Sequence, residues 1–261
     1  MTNYFIGWDV GGWNCDKNSR SRDAIVILDG SRQIVGTSWR GNLRVTINDA
    51  TNTGDWLQRL FGLCEAETPS SAYFATIGID TPLGFSRAFL DLIGTLKPAV
   101  SIGGSETNPY LFRETERFLF RQGIKPLSPI KDMIGSQATK GMHVLAKFTP
   151  MMAQCGVWTD GVTLTAIEAY PSACRQSLLF QKLLRRYIIG ERDDPPGLLW
   201  IELLDHQDKL DALTCALVAH TFEFQADALA HPSDFIPMTE GWIWAPKDAL
   251  QPDTRIAILT D

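Results

Sequence analysis

A chain that opens with three apolar β segments joined by short links must begin its sheet antiparallel. A parallel pair needs a crossover connection of roughly a dozen residues or more, usually helical. The first segment, Tyr4-Phe-Ile-Gly-Trp-Asp-Val10, ends at Gly11-Gly12. Residues 23–28 form the second, Asp29-Gly30 is a strong hairpin-turn dipeptide, and residues 33–39 form the third. No parallel dinucleotide-binding unit starts in this way.

Beyond residue 40 the period changes. Trp56, Leu57, Leu60, Phe61 and Cys64 recur at helical spacing, with Asp55 placed to cap the helix start. Residues 73–79 give a fourth strand, stopped by Asp80-Thr-Pro-Leu-Gly84. A stretch at about 86–160 reads as an insertion, with an amphipathic helix from Pro109 to Gln122 and proline-bearing loops. Residues 162–169 give a fifth strand ending at Tyr170-Pro171. A helix at 172–189, an Asp-Asp-Pro-Pro breaker at 193–196 and a last helix from Gln207 to about Ala228 complete the chain. The expected fold is α/β and RNase H-like: a five-stranded mixed sheet in the order 3-2-1-4-5, flanked by helices. Strands four and five lie parallel to strand one by the crossover rule. The whole of 1–261 reads as a single domain, with 86–160 packed as a separate helical and loop cap.

Composition limits the partners. The 261 residues carry 24 Lys and Arg against 30 Asp and Glu, a net charge of −6. Proteins that grip long duplex DNA without sequence preference carry a basic excess, and only Lys182, Arg185, Arg186 and Arg192 cluster here. No leader peptide and no apolar run near the ~20 residues of a membrane span is expected. Five scattered cysteines without a C-x-x-C pair read as reduced thiols of a cytoplasmic protein.

The carboxylates carry the chemistry. Asp9 lies inside the apolar first strand, Asp80 ends the fourth, Glu168 lies near the end of the fifth, and Asp208 and Asp211 stand one helical turn apart. A buried carboxylate is unfavourable unless it is paired or binds a cation. Carboxylates gathered at strand ends form a hard oxygen site for Mg²⁺ or Mn²⁺. Two such ions about 4 Å apart activate water and stabilise a leaving oxygen in phosphodiester hydrolysis. All five are therefore candidate metal ligands and catalytic carboxylates, with a nucleic acid or nucleotide as substrate. Each also has a plainer reading: Asp9, Asp80 and Glu168 suit turns, and Asp208 suits the first turn of a helix. Arg113 and Arg117, on the helix of the insertion, are candidate phosphate-binding residues, or else a solvated ion-pair face with Glu116. The four histidines lack zinc-ligand spacing, and no P-loop or Ser-His-Asp pattern is present.

The chain resembles the domain-of-unknown-function family 429, whose members are described as predicted RNase H-like nucleases. The likeness rests on Gly-Trp-Asp-Val-Gly-Gly at 7–12, Gly-Ile-Asp-Thr-Pro-Leu-Gly at 78–84 and Arg-Glu-Thr-Glu-Arg at 113–117. It continues through Ile-Glu-Ala-Tyr-Pro at 167–171, Asp-Lys-Leu-Asp-Ala-Leu at 208–213 and Glu-Gly-Trp-Ile at 240–243. The resemblance implies an RNase H-like fold and a metal-dependent nuclease. The Asp-x-x-Asp pair is similar to that of RuvC-type resolvases, although the strongly basic surface for a large DNA is missing. Two other classes stay open: an ATP-dependent small-molecule kinase of the actin-like superfamily, and a catalytically inactive binding module.

Overall fold

The computed structural model describes residues 2–189 and 204–251. The breaker at 193–196 and Arg192 lie outside the described residues. Among the described residues the fold is α/β, built on one mixed sheet of seven strands: β1 (Thr2–Asp9), β2 (Asp23–Asp29), β3 (Trp39–Gly41), β4 (Tyr73–Asp80), β5 (Met151–Gln154), β6 (Val157–Thr159) and β7 (Leu164–Glu168). Their spatial order is β3-β2-β1-β4-β7-β6-β5. β1 runs antiparallel to β2 and parallel to β4, and β4 runs parallel to β7.

Helices cover both faces, so the central strands are apolar on both sides instead of alternating. Ile6, Trp8, Ile25 and Ile77 face one layer, made by α2 (Thr53–Leu63) and α5 (Gly135–Phe148), where Trp56 stacks on Phe148 at 5.0 Å. Phe5, Val26 and Ile167 face the other, made by α7 (Leu178–Ile189) and α8 (Gln207–Phe224). α8 lies close against β1, β2 and β4, and two glycines make this approach possible. A β-carbon at Gly7 would collide with the Ala212 carbonyl, and one at Gly78 with the Cys215 carbonyl. Gly7 and Gly78 are partners in the β1–β4 register, so the helix rests in a shallow trough.

Among the described residues the sheet has seven strands where five are expected from sequence. The stretch 86–160 does not pack as a cap apart from the sheet. It supplies α3 (Arg87–Thr95) and α4 (Glu114–Arg121), but also α5, whose Val144, Leu145 and Phe148 are buried in the main core. It further supplies β5 and β6, which extend the sheet beyond β7. The third strand also shifts. After Asp29-Gly30 the chain pairs with β2 only at Leu28–Ile34, and then turns away at Gly36, whose φ of +71° suits glycine. Thr37 there donates to the Cys64 carbonyl at the end of α2, and pairing resumes at Trp39. Asn52, not Asp55, caps α2, accepting from the Asp55 amide at 3.0 Å. Two short helices, α1 (Arg44–Asp49) and α6 (Pro171–Cys174), also lie among the described residues. All five cysteines are free and buried, and burial pushes the Cys64 thiol up to about 12. Among the described residues no helix is long and apolar enough to cross a membrane.

Candidate functional site

Asp9 and Asp80 are the last residues of β1 and β4 and stand directly opposite each other in the parallel register. Neighbouring strands lie about 4.8 Å apart, and residues in parallel register point to the same face. Gly7 and Gly78, two residues earlier on each strand, touch α8, so both carboxylates lie on the α8 side, at the level where that helix begins. Both strands then turn aside, through Gly11-Gly12 and through Thr81-Pro82. The two acids line a cleft of about 200 Å³, with Glu168 and Tyr170 from the β7 end and Ile134 and Gln137 from the start of α5.

The electrostatics of this pair are unusual. Burial pushes the Asp80 carboxyl up to about 8, helped by the negative charges of Asp211 and Glu168 and opposed by Arg175. Asp9 is also raised well above the ordinary range, first by burial and then by Asp80, Asp208, Asp211 and Asp23. Among the described residues neither carboxylate receives a hydrogen bond or an ion-pair partner, whereas the acids around them all do. Glu168 is gripped on both oxygens by Arg113, at 2.8 and 2.7 Å, and accepts from the Leu83 amide at 2.9 Å. Asp208 accepts from the Arg22 amide at 2.9 Å and from Arg40 Nε at 2.8 Å. Asp211 accepts from Arg175 at 3.2 Å and from Gln207 at 2.9 Å.

Of the five acids named from sequence, two thus stand free in the cleft. Glu168 shares it with both of its oxygens held by Arg113. Asp208 and Asp211 lie within electrostatic reach of Asp9 but are tied to opposite neighbours, Arg40 of β3 and Arg175 beyond α6. Among the described residues no three His, Cys, Asp or Glu side chains are grouped so as to hold a metal ion by themselves. A Mg²⁺ ion does not require three: it commonly uses one or two carboxylates and fills its octahedron with waters and substrate phosphate oxygens. Two bare carboxylates beside a small open cleft fit such an ion.

The arginines are placed otherwise than the sequence leads one to expect. Arg113 is 1% exposed and cannot meet a substrate. Its guanidinium is consumed by Glu116, Glu168 and the Glu240 carbonyl. Three of the sequence islands, 113–117, 167–171 and 240–243, therefore meet in one buried ion network that fixes Glu168. Arg117 pairs with Glu114 at 2.6 Å and lines a separate hollow with Arg87 and Arg121, away from the carboxylate cleft.

Sequence reasoning passed over Asp23 and Lys140, both fully buried and paired. Asp23 also accepts from Trp8 Nε1 at 3.1 Å and from the amides of Gly11 and Leu43 at 2.9 and 2.7 Å. Lys140 reaches the Gly11 carbonyl at 3.2 Å, which ties α5 to the turn that follows Asp9. The signal available was an acid opening an otherwise apolar strand. No protein-family model matches the chain, and neither a curated protein nor a solved structure does so.

Proposed function

We propose that the protein is an RNase H-like, Mg²⁺- or Mn²⁺-dependent phosphodiesterase acting on a nucleic acid or nucleotide. One observation carries the reading: Asp9 and Asp80 stand side by side, half-buried, at the ends of adjacent strands in the middle of the sheet, and neither carboxylate has a donor among the described residues. Taking a carboxylate partly out of water without a partner disfavours its charged form, which is the direction in which both carboxyls are raised, and a bound cation would offset it. In the metal-loaded protein the cation would supply Lewis-acid polarisation of a phosphoryl oxygen and a more acidic water. Asp9 on β1 and Asp80 on β4 would hold it. Glu168, clamped by Arg113, keeps a fixed acceptor on the β7 side of the cleft. In the reaction a water oxygen adds to phosphorus and the bond from phosphorus to the leaving oxygen breaks. That oxygen takes up a proton, and the water gives up one. The net charge of −6 favours a small or single-stranded substrate over long duplex DNA.

The test pairs thermal melts with cleavage assays. Wild type is expected to melt higher with Mn²⁺ and to cleave at least one of single-stranded DNA, branched DNA, RNA or a dinucleotide. Asp9→Asn and Asp80→Asn are expected to do neither. No stabilisation by Mn²⁺ and no cleavage in wild type would remove the reading, and stabilisation by ATP would direct attention to phosphoryl transfer instead.

A further inference from the structure

Thr81 follows Asp80 directly, is 4% exposed and lines the same cleft, yet its hydroxyl has no hydrogen-bond partner among the described residues. The side chain is not free to turn away. Its methyl group sits against the backbone of α5, so closely that a β-carbon at Gly141 would meet it. A buried hydroxyl without a partner destabilises a fold by about 1–3 kcal/mol, and valine would fill the same space without that penalty. The hydroxyl is thus explained by an acceptor that comes from outside the chain.

A second set of donors lies across the cleft. α5 begins there: its N-cap residue Ile134 and first-turn residue Gln137 are in the wall. Ile134 has no side chain that can cap a helix, and the first turn contains no acid. Among the described residues the amides of Gly135, Ser136 and Gln137 donate to nothing. Ser136 accepts from the Trp13 amide at 3.0 Å, which leaves the helix start uncapped. Free amides at the positive end of a helix attract an anion.

The cleft therefore presents donors beside bare carboxylates, the Thr81 hydroxyl next to Asp80 and the first turn of α5 across from it. A lone anion is repelled by Asp9 and Asp80, and a lone cation gains nothing from the donors. A phosphoryl group with its cation satisfies both. We infer that the cleft seats a phosphoryl group, with non-bridging oxygens on the Thr81 hydroxyl and the first-turn amides of α5, facing the cation held by Asp9 and Asp80. This rests on the metal-dependent reading above and adds the substrate's position. The size of the cleft narrows the class further. Its volume is about 200 Å³. It admits a phosphoryl group and is open on one side, which favours the accessible phosphate of a free nucleotide or a strand end over one in the interior of a duplex.

Calorimetric titration with inorganic phosphate, with and without Mg²⁺, tests the seat on wild type, Thr81→Val and Thr81→Ser. Wild type should bind phosphate more tightly with Mg²⁺. Thr81→Val should lose roughly tenfold in phosphate affinity, the order of one hydrogen bond to a charged acceptor. It should bind Mn²⁺ as wild type does and melt no lower without ligands, while Thr81→Ser should recover phosphate binding. Equal phosphate affinity in Thr81→Val would overturn the seat, and so would a lower melting temperature of that variant without ligands, since the hydroxyl would then have a partner within the protein. Failure of the metal reading is read separately: wild type then gains nothing from Mn²⁺, yet Thr81-dependent phosphate binding would still uphold the seat. A 5′-mononucleotide, a 5′-phosphorylated single strand and a blunt duplex with buried ends distinguish the sources of the phosphate. Preference for the duplex would overturn the size argument.

Discussion

Asp23 and the pair Asp9–Asp80 lie at the same end of the sheet, on neighbouring strands, and all three are pushed upward in pKa mainly by burial. Their surroundings differ. Asp23 receives an indole N–H, two backbone amides and the ammonium of Lys140, so its charge is answered entirely within the fold. Asp9 and Asp80 receive none of these among the described residues. Burial of an acid is therefore no sign of function here, since the chain buries Asp23 for structure. What separates the two regions is whether the fold itself supplies the counter-charge.

Making the first region resemble the second should have the largest effect. Lys140→Met keeps the volume of the buried stem but leaves Asp23 without its cation, and removing one partner of a buried pair typically costs about 3–5 kcal/mol. Urea unfolding at neutral pH should show this loss, and an unchanged midpoint would mean that the amides alone suffice for Asp23. The next effect is gained at the other region. Mn²⁺ at a hundred times its dissociation constant should stabilise wild type by about 2.7 kcal/mol, as any ligand of the native state does. Asp9→Asn and Asp80→Asn should lose that gain, whereas Asp211→Asn, which removes an acid already held by Arg175 and Gln207, should keep most of it.

Much of this arrangement was legible in the sequence, and the part that was not has a common cause. The apolar runs of β1, β2, β4 and β7 and the 3.6-residue period of α2 and α8 are local signals, and they place the central strands in their observed order. β5 and β6 are only four and three residues long, and they exist because Val157 and Trp158 find Ile167 and Ala166 on β7, a pairing that no local pattern encodes. The acids divide in the same way. An aspartate inside an apolar strand is conspicuous, so Asp9 and Asp80 could be picked out directly. Whether an acid is answered depends on a partner far along the chain: Arg113 is 55 residues from Glu168, and Lys140 is 117 from Asp23. The surface role expected of Arg113 failed for that reason.

A smaller effect at any single pH concerns protonation. Asp80 has an ordinary value of 3.8 that burial raises to about 8, so between these limits the folded, metal-free protein holds a proton that the unfolded chain has released. The folded state binds more protons, so stability falls as pH rises through that window, by at most about 1.4 kcal/mol per pH unit for one proton. Unfolding in the presence of a chelator at a series of pH values should show the decline in wild type and a flatter profile in Asp80→Asn. A profile that rises over this range would mean that Asp80 is ionised and stabilised without metal.

The smallest effect is the most discriminating. Without metal, Asp9→Asn should melt at the wild-type temperature or slightly above it, a change within about 0.5 kcal/mol. The substitution keeps the shape of the side chain and removes no hydrogen bond present among the described residues. It also takes one negative charge from a cluster in which Asp80, Asp208 and Asp211 all raise the Asp9 carboxyl. At pH 8 the gain should be larger than at pH 5, because repulsion requires the neighbouring acids to be ionised. The matching change in the answered region, Asp23→Asn, should go the other way. It leaves the Lys140 ammonium buried with no counter-ion and replaces one acceptor oxygen of a satisfied network by a second donor. Opposite signs for two aspartate-to-asparagine changes at one end of one sheet are what the difference between the regions requires. If Asp9→Asn falls as far as Asp23→Asn, Asp9 is held by the fold after all, and the cleft loses its need for a cation.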